Sequence, residues 1–425
     1  MTESGHRSGT GPQPDGPLAI APAPSPAVIV WRRCALGGGG GMFVGMGLGR
    51  FSYTAMVPAL VESGGLSPVD AGRVGTVNLA GFLAGAVASV VLARHFGRAV
   101  VLRGALLLSL AGLAASALPW GFTWLATCRG GLGFGTALIM VLSLALIAET
   151  APADRRPEAG AYVFAGVGLG IVMAGLLVPW LLASGLMAAW LGILVAGLVG
   201  GGVAIWGWSA APNSAATATV AVPADATSRK RTSIFSPGMA GLMLAHGLFS
   251  FGIVPHTIYW VDFLVRGLGL GVGIGGMHWG LVGIAAAVGP LLTARLARAF
   301  GTAAALCIGF WVLAIGIAVP ALLPATAVLV ASSLIFGAQP GLSSLMAARA
   351  RDLGDPAEIP RVMRAMILAN AAGGMAGGLI VPWIYGAGWG AAFGAAGDHA
   401  PLFVLGGAAM ALGALAAWPR RQVGA

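Results

Sequence analysis

The chain is 425 residues long, 58% apolar and 8% charged, with a mean hydropathy of +0.90 and a formal net charge of +10. Water-soluble domains carry about 25% charged residues, so a soluble multidomain protein is excluded; 70 glycines without a three-residue period exclude collagen. The apolar runs suit a bilayer core of roughly 30 Å, which takes about 20 helical residues to cross.

The expected fold is an all-α polytopic membrane protein with twelve transmembrane helices, placed at 35–61, 72–93, 99–118, 122–147, 160–183, 186–208, 238–262, 271–294, 302–322, 325–348, 363–387 and 401–418. Residues 1–34 read as a disordered cytoplasmic tail, since 1–26 are polar, rich in Gly, Pro and Ser, and lack the apolar core of a signal peptide. In the first span Arg50 falls within about 4 Å of the midplane at 1.5 Å per residue. Inserting an arginine there costs roughly 3 kcal/mol, so it should face water or a partner. Met46, Tyr53, Thr54 and Val57 share its face, while Gly37, Gly41, Gly45 and Gly49 form a stripe for a neighbouring helix. Arg50 reads either as a cargo or gating contact or as a structural arginine capping carbonyls of the glycine-rich stretch. Asn78 is a buried amide of the second span.

In the fourth span Arg129 aligns with Thr136 and Ser143, as an anion or proton-relay contact or as a packing residue. Glu149, near Arg155 and Arg156, reads as a gate or surface ion pair. Residues 209–237 form the one obvious linker, expected on the cytoplasmic side. In the seventh span His246, Ser250, Thr257 and Trp260 fall on one face, Pro255 predicts a kink, and His256, Tyr259 and Asp262 lie on other sides. Histidine titrates near pH 6.5, which makes His246 and His278 candidates for proton coupling alongside Asp262; an isolated buried histidine also packs structurally. Gln339 and Asn370 can bind cargo or bridge helices. Residues 419–425 form a C-terminal tail.

Basic residues mark one side. The tails, the linker and the even-to-odd loops hold 19 of them, against Arg73 and Arg266 on the other side, so both termini are expected in the cytoplasm. The halves 35–208 and 238–418 repeat: Leu92-Ala93-Arg94-His95-Phe96-Gly97 returns 204 residues later as Leu296-Ala297-Arg298-Ala299-Phe300-Gly301, and Val178-Pro179-Trp180 returns as Val381-Pro382-Trp383. Six spans plus six in the same orientation imply a parallel pseudo-two-fold repeat, a design that places cargo between the halves near the midplane. Pairs such as Gly81/Gly85, Gly131/Gly135, Gly166/Gly170 and Gly276/Gly280 permit close helix contact.

This layout, with basic loops after spans 2 and 8, resembles the major facilitator superfamily over about 385 residues. Arg129-x-x-x-Gly133-x-Gly135 is similar to its span-4 motif. Leu92, Ala93, Gly97 and Arg98 resemble its G-x-L-A-D-R-x-G-R loop, although Arg94 stands at the acidic position and Val90 at the leading glycine. Gly47-x-Gly49-Arg50-Phe51-x-Tyr53-Thr54-x-x-x-Pro58, then Gly64-Gly65-Leu66-Ser67 and Phe164-Ala165-Gly166-Val167-Gly168-Leu169-Gly170, resemble the YbfB/YjiJ-type group. The resemblance implies secondary transport by alternating access and proton coupling, with gate loops around Arg94, Gly97, Arg98, Glu149, Arg298 and Gly301.

The expected cargo contacts are Arg50, Tyr53, Thr54, Asn78, Arg129, His246, Trp260, Gln339 and Asn370. Arginine is permanently charged and forked to suit carboxylates, and no deep carboxylate balances Arg50 or Arg129, so an anionic or carboxylate-bearing small molecule is expected. Competing readings are an exporter of amphipathic drug-like compounds, or a membrane enzyme or sensor that moves nothing. No P-loop, metal-ligand spacing or cysteine framework occurs. The expected partners are therefore a small molecule, a proton and the lipid of a bacterial inner membrane, with no cofactor, metal or nucleic acid, and the chain is expected to act as a monomer.

Overall fold

The computed structural model describes residues 26–211, 236–354 and 358–418; residues 1–25 of the expected tail, most of the expected linker and the tail at 419–425 lie outside the described residues. Helix α1 (Pro26–Met42) starts nine residues before the expected boundary at 35, so the end of the expected tail is helical instead. Glycines 37–41, 45, 47 and 49 remove the side chains that would stiffen the helix. Beyond Met42 the backbone widens into a π-helical stretch, Phe43–Arg50, closed by Phe51 N–H donating to the Met46 carbonyl at 3.1 Å. Helix α2 (Ser52–Glu62) then resumes the ordinary register.

Helix α3 (Pro68–Phe96) opens on a capping sequence: Ser67 accepts from the Asp70 N–H at 3.0 Å and Pro68 takes the first helical position. Helices α4 (Arg98–Ala115), α5 (Gly121–Thr150), α6 (Arg156–Leu182) and α7 (Leu186–Trp208) follow. The second series begins with α8 (Pro237–Gly252) and α9 (Val254–Asp262), separated at Ile253 because Pro255 lacks an N–H for the continuing ladder. A short π-helical turn, Phe263–Gly267, completes that run. Helices α10 (Val272–Phe300) and α11 (Thr302–Leu322) come next. Helices α12 (Thr326–Gly337) and α13 (Pro340–Leu353) meet at a 41° bend beside Gln339. Helix α14 (Ile359–Gly386), a 3₁₀ stretch (Trp389–His399) and α15 (Ala400–Ala417) finish the chain.

Ten of these helical runs are long and apolar enough to cross a membrane, eleven if the bent pair is one span. The π stretch divides the first run into pieces each shorter than a membrane crossing. The two copies of the repeated loop fold alike. Gly97 after α3 and Gly301 after α10 both take φ +81°, a left-handed conformation that glycine adopts without strain.

Helices α1 to α7 pack among themselves, as do α8 to α15, and the two groups meet where α6 lies on α10, α3 on α14 and α2 on α9. Small residues set these distances. A methyl added at Gly166 would sit 2.0 Å from the Gly39 carbonyl, and one at Gly175 would sit 2.6 Å from the Gly276 carbonyl across the groups. Among the described residues four side-chain hydrogen bonds join the groups, and all four lie from mid-depth toward the side away from the basic loops. Trp279 donates to the Phe51 carbonyl at 2.9 Å, Tyr259 to the Pro68 carbonyl at 2.9 Å, Thr54 to the Thr257 carbonyl and Thr76 to the Gly378 carbonyl.

Candidate functional site

The π stretch of the first run ends at Arg50, where the change of register frees a carbonyl at mid-depth. Arg129, on α5 and 1% exposed, donates through Nη2 to that Arg50 carbonyl at 2.9 Å. The carbonyl-capping role weighed for Arg50 thus belongs to Arg129. The Arg129 guanidinium carbon stands 4.9 Å from the centre of the Tyr53 ring, and its Nε and Nη1 are buried without a hydrogen-bond partner. Asn78 on α3 donates to the Arg129 carbonyl at 2.7 Å, tying α3 to α5.

The Arg50 side chain, half-buried, points into the same space, with cation–π contacts to Phe51 at 5.5 Å and Phe82 at 6.0 Å. Arg50, Tyr53, Thr54, Asn78 and Arg129 form one wall of a cavity of ≈ 30 Å³, room for about one or two waters. The other wall comes from the α8–α9 junction: Ser250, Ile253, Val254, Thr257 and Ile258. No acidic residue lines the space. Two cations therefore face a small cavity without a counter-charge, an arrangement that can receive an anion once the walls part.

The remaining expected contacts fall elsewhere. Trp260 is fully buried within the second group, donating to Ser333 Oγ at 3.1 Å; His278 meets the same oxygen at 2.9 Å. His246 on α8 packs near Phe249 and leaves Nδ1 unpartnered, away from the cavity lining. Gln339 marks the bend between α12 and α13, and Asn370 lies half-buried on α14; neither lines the cavity.

Asp262 sits in a buried ionic cluster. Its carboxylate accepts two bonds from Arg266, at 2.6 and 2.7 Å, and one at 2.8 Å from His399, which lies at the end of the 3₁₀ stretch. The Tyr385 hydroxyl reaches Arg266 at 3.3 Å and His399 at 3.4 Å, and its ring stacks on Tyr259. Sequence reading missed His399 and Tyr385. The i, i+4 spacing of Asp262 and Arg266 was a usable signal for half of the cluster.

On the basic side Glu149 pairs with Arg98 at 2.6 Å, not with Arg155, which binds Asp154 and Glu158 instead. Arg94 and Arg298 are exposed beside Gly97 and Gly301. Among the described residues no group of three His, Cys, Asp or Glu side chains could hold a metal ion, and the three cysteines are buried and unpaired.

A family model described as "Uncharacterised MFS-type transporter YbfB" matches residues 42–418, nearly the whole described chain. The chain belongs to this family of MFS-type transporters. Two relatives are each 30% identical over part of their length. One, from Haemophilus influenzae, aligns over 161 residues, 37% of this chain and 39% of the relative. The other, the niacin transporter NiaP of Acinetobacter baylyi, aligns over 137 residues, 32% and 31%. The chain thus spans less than half the length of the curated relatives it matches.

The fold is similar to that of the D-xylose-proton symporter, with a TM-score of 0.73 at 19% identity over 93% of this chain and 98% of the other. A bacterial homologue of the lysosomal transporter Spinster, inward-facing and unoccupied, gives a TM-score of 0.63 at 16% identity over 91% and 95%. As a member of this family the chain is an MFS-type multi-pass membrane protein.

Proposed function

We propose that this transporter moves a small anion, carboxylates first among them, by alternating access, and that Arg50 and Arg129 make the first contacts. The observation that carries the reading is the pair of guanidinium groups facing one cavity with no acidic residue in its lining, Arg129 keeping Nε and Nη1 buried and unpartnered. Twelve crossings follow if the π-interrupted first run and the bent α12–α13 pair each count as one span. The basic loops then lie in the cytoplasm of a bacterium. The Trp279, Tyr259, Thr54 and Thr76 bonds hold the two groups together on the side opposite the basic loops, and these are the contacts that must part for cargo to pass on that side. Tyr53 and Thr54 complete the cargo wall. The Arg98–Glu149 pair and the loops at Arg94, Gly97, Arg298 and Gly301 act in closing the cytoplasmic side.

No nucleotide-binding motif is present in the sequence, so uphill movement draws on an ion gradient. One charge crossing 100 mV supplies about 2.3 kcal/mol. The candidates for the proton are His246, His278 and Asp262, the last of them bound by Arg266 and His399. A cationic-drug exporter would want a carboxylate where this cavity has arginines.

The reading is tested on purified full-length protein by thermal shift with carboxylates, amino acids, sugars and cationic drugs, followed by transport of the hit in proteoliposomes. Stabilisation by anions, lost in Arg50→Ala and poorly restored in Arg50→Lys, is expected. Stabilisation by cations alone would end the anion assignment.

A further inference from the structure

The two walls of the arginine cavity differ in chemistry as well as in origin. Every cationic group comes from the π stretch and α5, beside Tyr53, Thr54 and Asn78 of α2 and α3, whose donors are spent on the Ala71, Thr257 and Arg129 carbonyls. Opposite stand Ile253, Val254 and Ile258, with the smaller polar groups of Ser250 and Thr257. The polar capacity of that second wall is already partly engaged: the Thr257 hydroxyl donates to the Ile253 carbonyl at 2.9 Å, and the Thr257 carbonyl accepts from Thr54. No arginine, lysine or histidine on that wall could meet a second negative group. The nearest cation beyond it on α9 and the following turn, Arg266, is bound bidentately by Asp262.

From this asymmetry we infer that the cargo is an amphiphilic monocarboxylate: one anionic head held by Arg50 and Arg129, and an apolar body laid against Ile253, Val254 and Ile258. The inference rests on the anion-transport reading above and narrows it to one class of anion. A dicarboxylate would bury its second charge against aliphatic side chains, where an unpaired ion is strongly disfavoured. A sugar acid would bring several hydroxyls to a wall that offers only those of Ser250 and Thr257, leaving the rest against aliphatic side chains. The apolar body gains affinity by leaving water, about fourfold for each buried methylene. Head and body also separate the labour between the two groups of helices. The head binds to the first group, and the body closes the second group onto it, so a head alone occupies the site without drawing the walls together.

The test uses full-length protein in lipid nanodiscs and titration calorimetry with probes of matched length: hexanoate, adipate, acetate, hexylamine and hexanol. Hexanoate should bind at least about tenfold more tightly than acetate and than adipate. Ile253→Ser should weaken hexanoate about fourfold or more and leave acetate unchanged; if that variant is poorly folded, Val254→Ala serves in its place. Arg50→Ala should weaken both acids alike. Adipate binding as tightly as hexanoate, or a folded wall variant that keeps full hexanoate affinity, would overturn the amphiphile inference while leaving anion transport standing. Hexylamine or hexanol binding as well as hexanoate would overturn the anion reading itself. Absence of binding by all five probes at millimolar concentration would overturn the inference.

Discussion

Two arginine sites lie in the membrane-spanning part of this molecule, and they are built in opposite ways. Arg266 is held by a fully buried carboxylate on two of its nitrogens, that carboxylate also binds His399, and Tyr385 closes the set. Every charge there has a partner within the second group of helices. Arg129 spends one nitrogen on the Arg50 carbonyl and leaves two buried nitrogens bare, while Arg50 has only aromatic faces beside it. A charge neutralised by its own fold is suited to structure or to holding a proton. A charge kept without a counterion is costly to maintain, and the expense is reasonable where a ligand supplies the missing charge.

Substitutions can break or sharpen that contrast. The largest loss of stability is expected from Asp262→Ala, which strands Arg266 without its counter-charge and takes from His399 its hydrogen-bond partner; about 3–5 kcal/mol is expected, read by denaturation of the purified protein. Arg129→Gln should cost about 1–2 kcal/mol, the worth of its bond to the Arg50 carbonyl, and should also remove anion binding. Arg98→Gln breaks an ion pair whose acid is 37% exposed, so the loss should stay under about 1 kcal/mol and appear mainly as altered transport rate. The smallest effect belongs to Arg50→Ala, within about 0.5 kcal/mol of the wild type, although it should abolish binding. If Arg50→Ala proves as destabilising as Asp262→Ala, the two sites are of one kind and the contrast fails.

Hydropathy and charge made the general plan legible because the bilayer dictates it: a run of apolar residues must be helical to satisfy its backbone, and arginines collect on one side. The repeated loops were equally visible, and Gly97 and Gly301 indeed share one backbone conformation. The glycine stripe of the first span was legible only in part: Gly37 faces Gly207 on α7 and Gly45 faces Thr136 on α5, two helices where one neighbour was expected.

Face-counting at 3.6 residues per turn gave direction but not depth. Ser250 and Thr257 flank the break at Ile253 and reach the cavity, while His246 and Trp260, each about a turn further from that break on α8 and α9, do not. The start of α1 at Pro26 was hidden because the Arg32-Arg33 pair interrupts the apolar run, while the helix continues through it from Ala27-Val28-Ile29-Val30-Trp31. His399 joins Asp262 across 137 residues, a tertiary pairing that no local pattern encodes. Glu149 likewise found Arg98 rather than its neighbours in sequence.

The central claim is that Arg50 and Arg129 await an anion. The most direct check is thermal stability of wild type and Arg50→Ala, side by side, against carboxylates and amines of the same carbon skeleton at a concentration of about 100 times Kd for the best wild-type hit. The account predicts that a carboxylate stabilises the wild type by about 2.7 kcal/mol, that its amine counterpart does nothing, and that neither acts on Arg50→Ala. A carboxylate that stabilises both proteins equally, or an amine that stabilises the wild type, would contradict it.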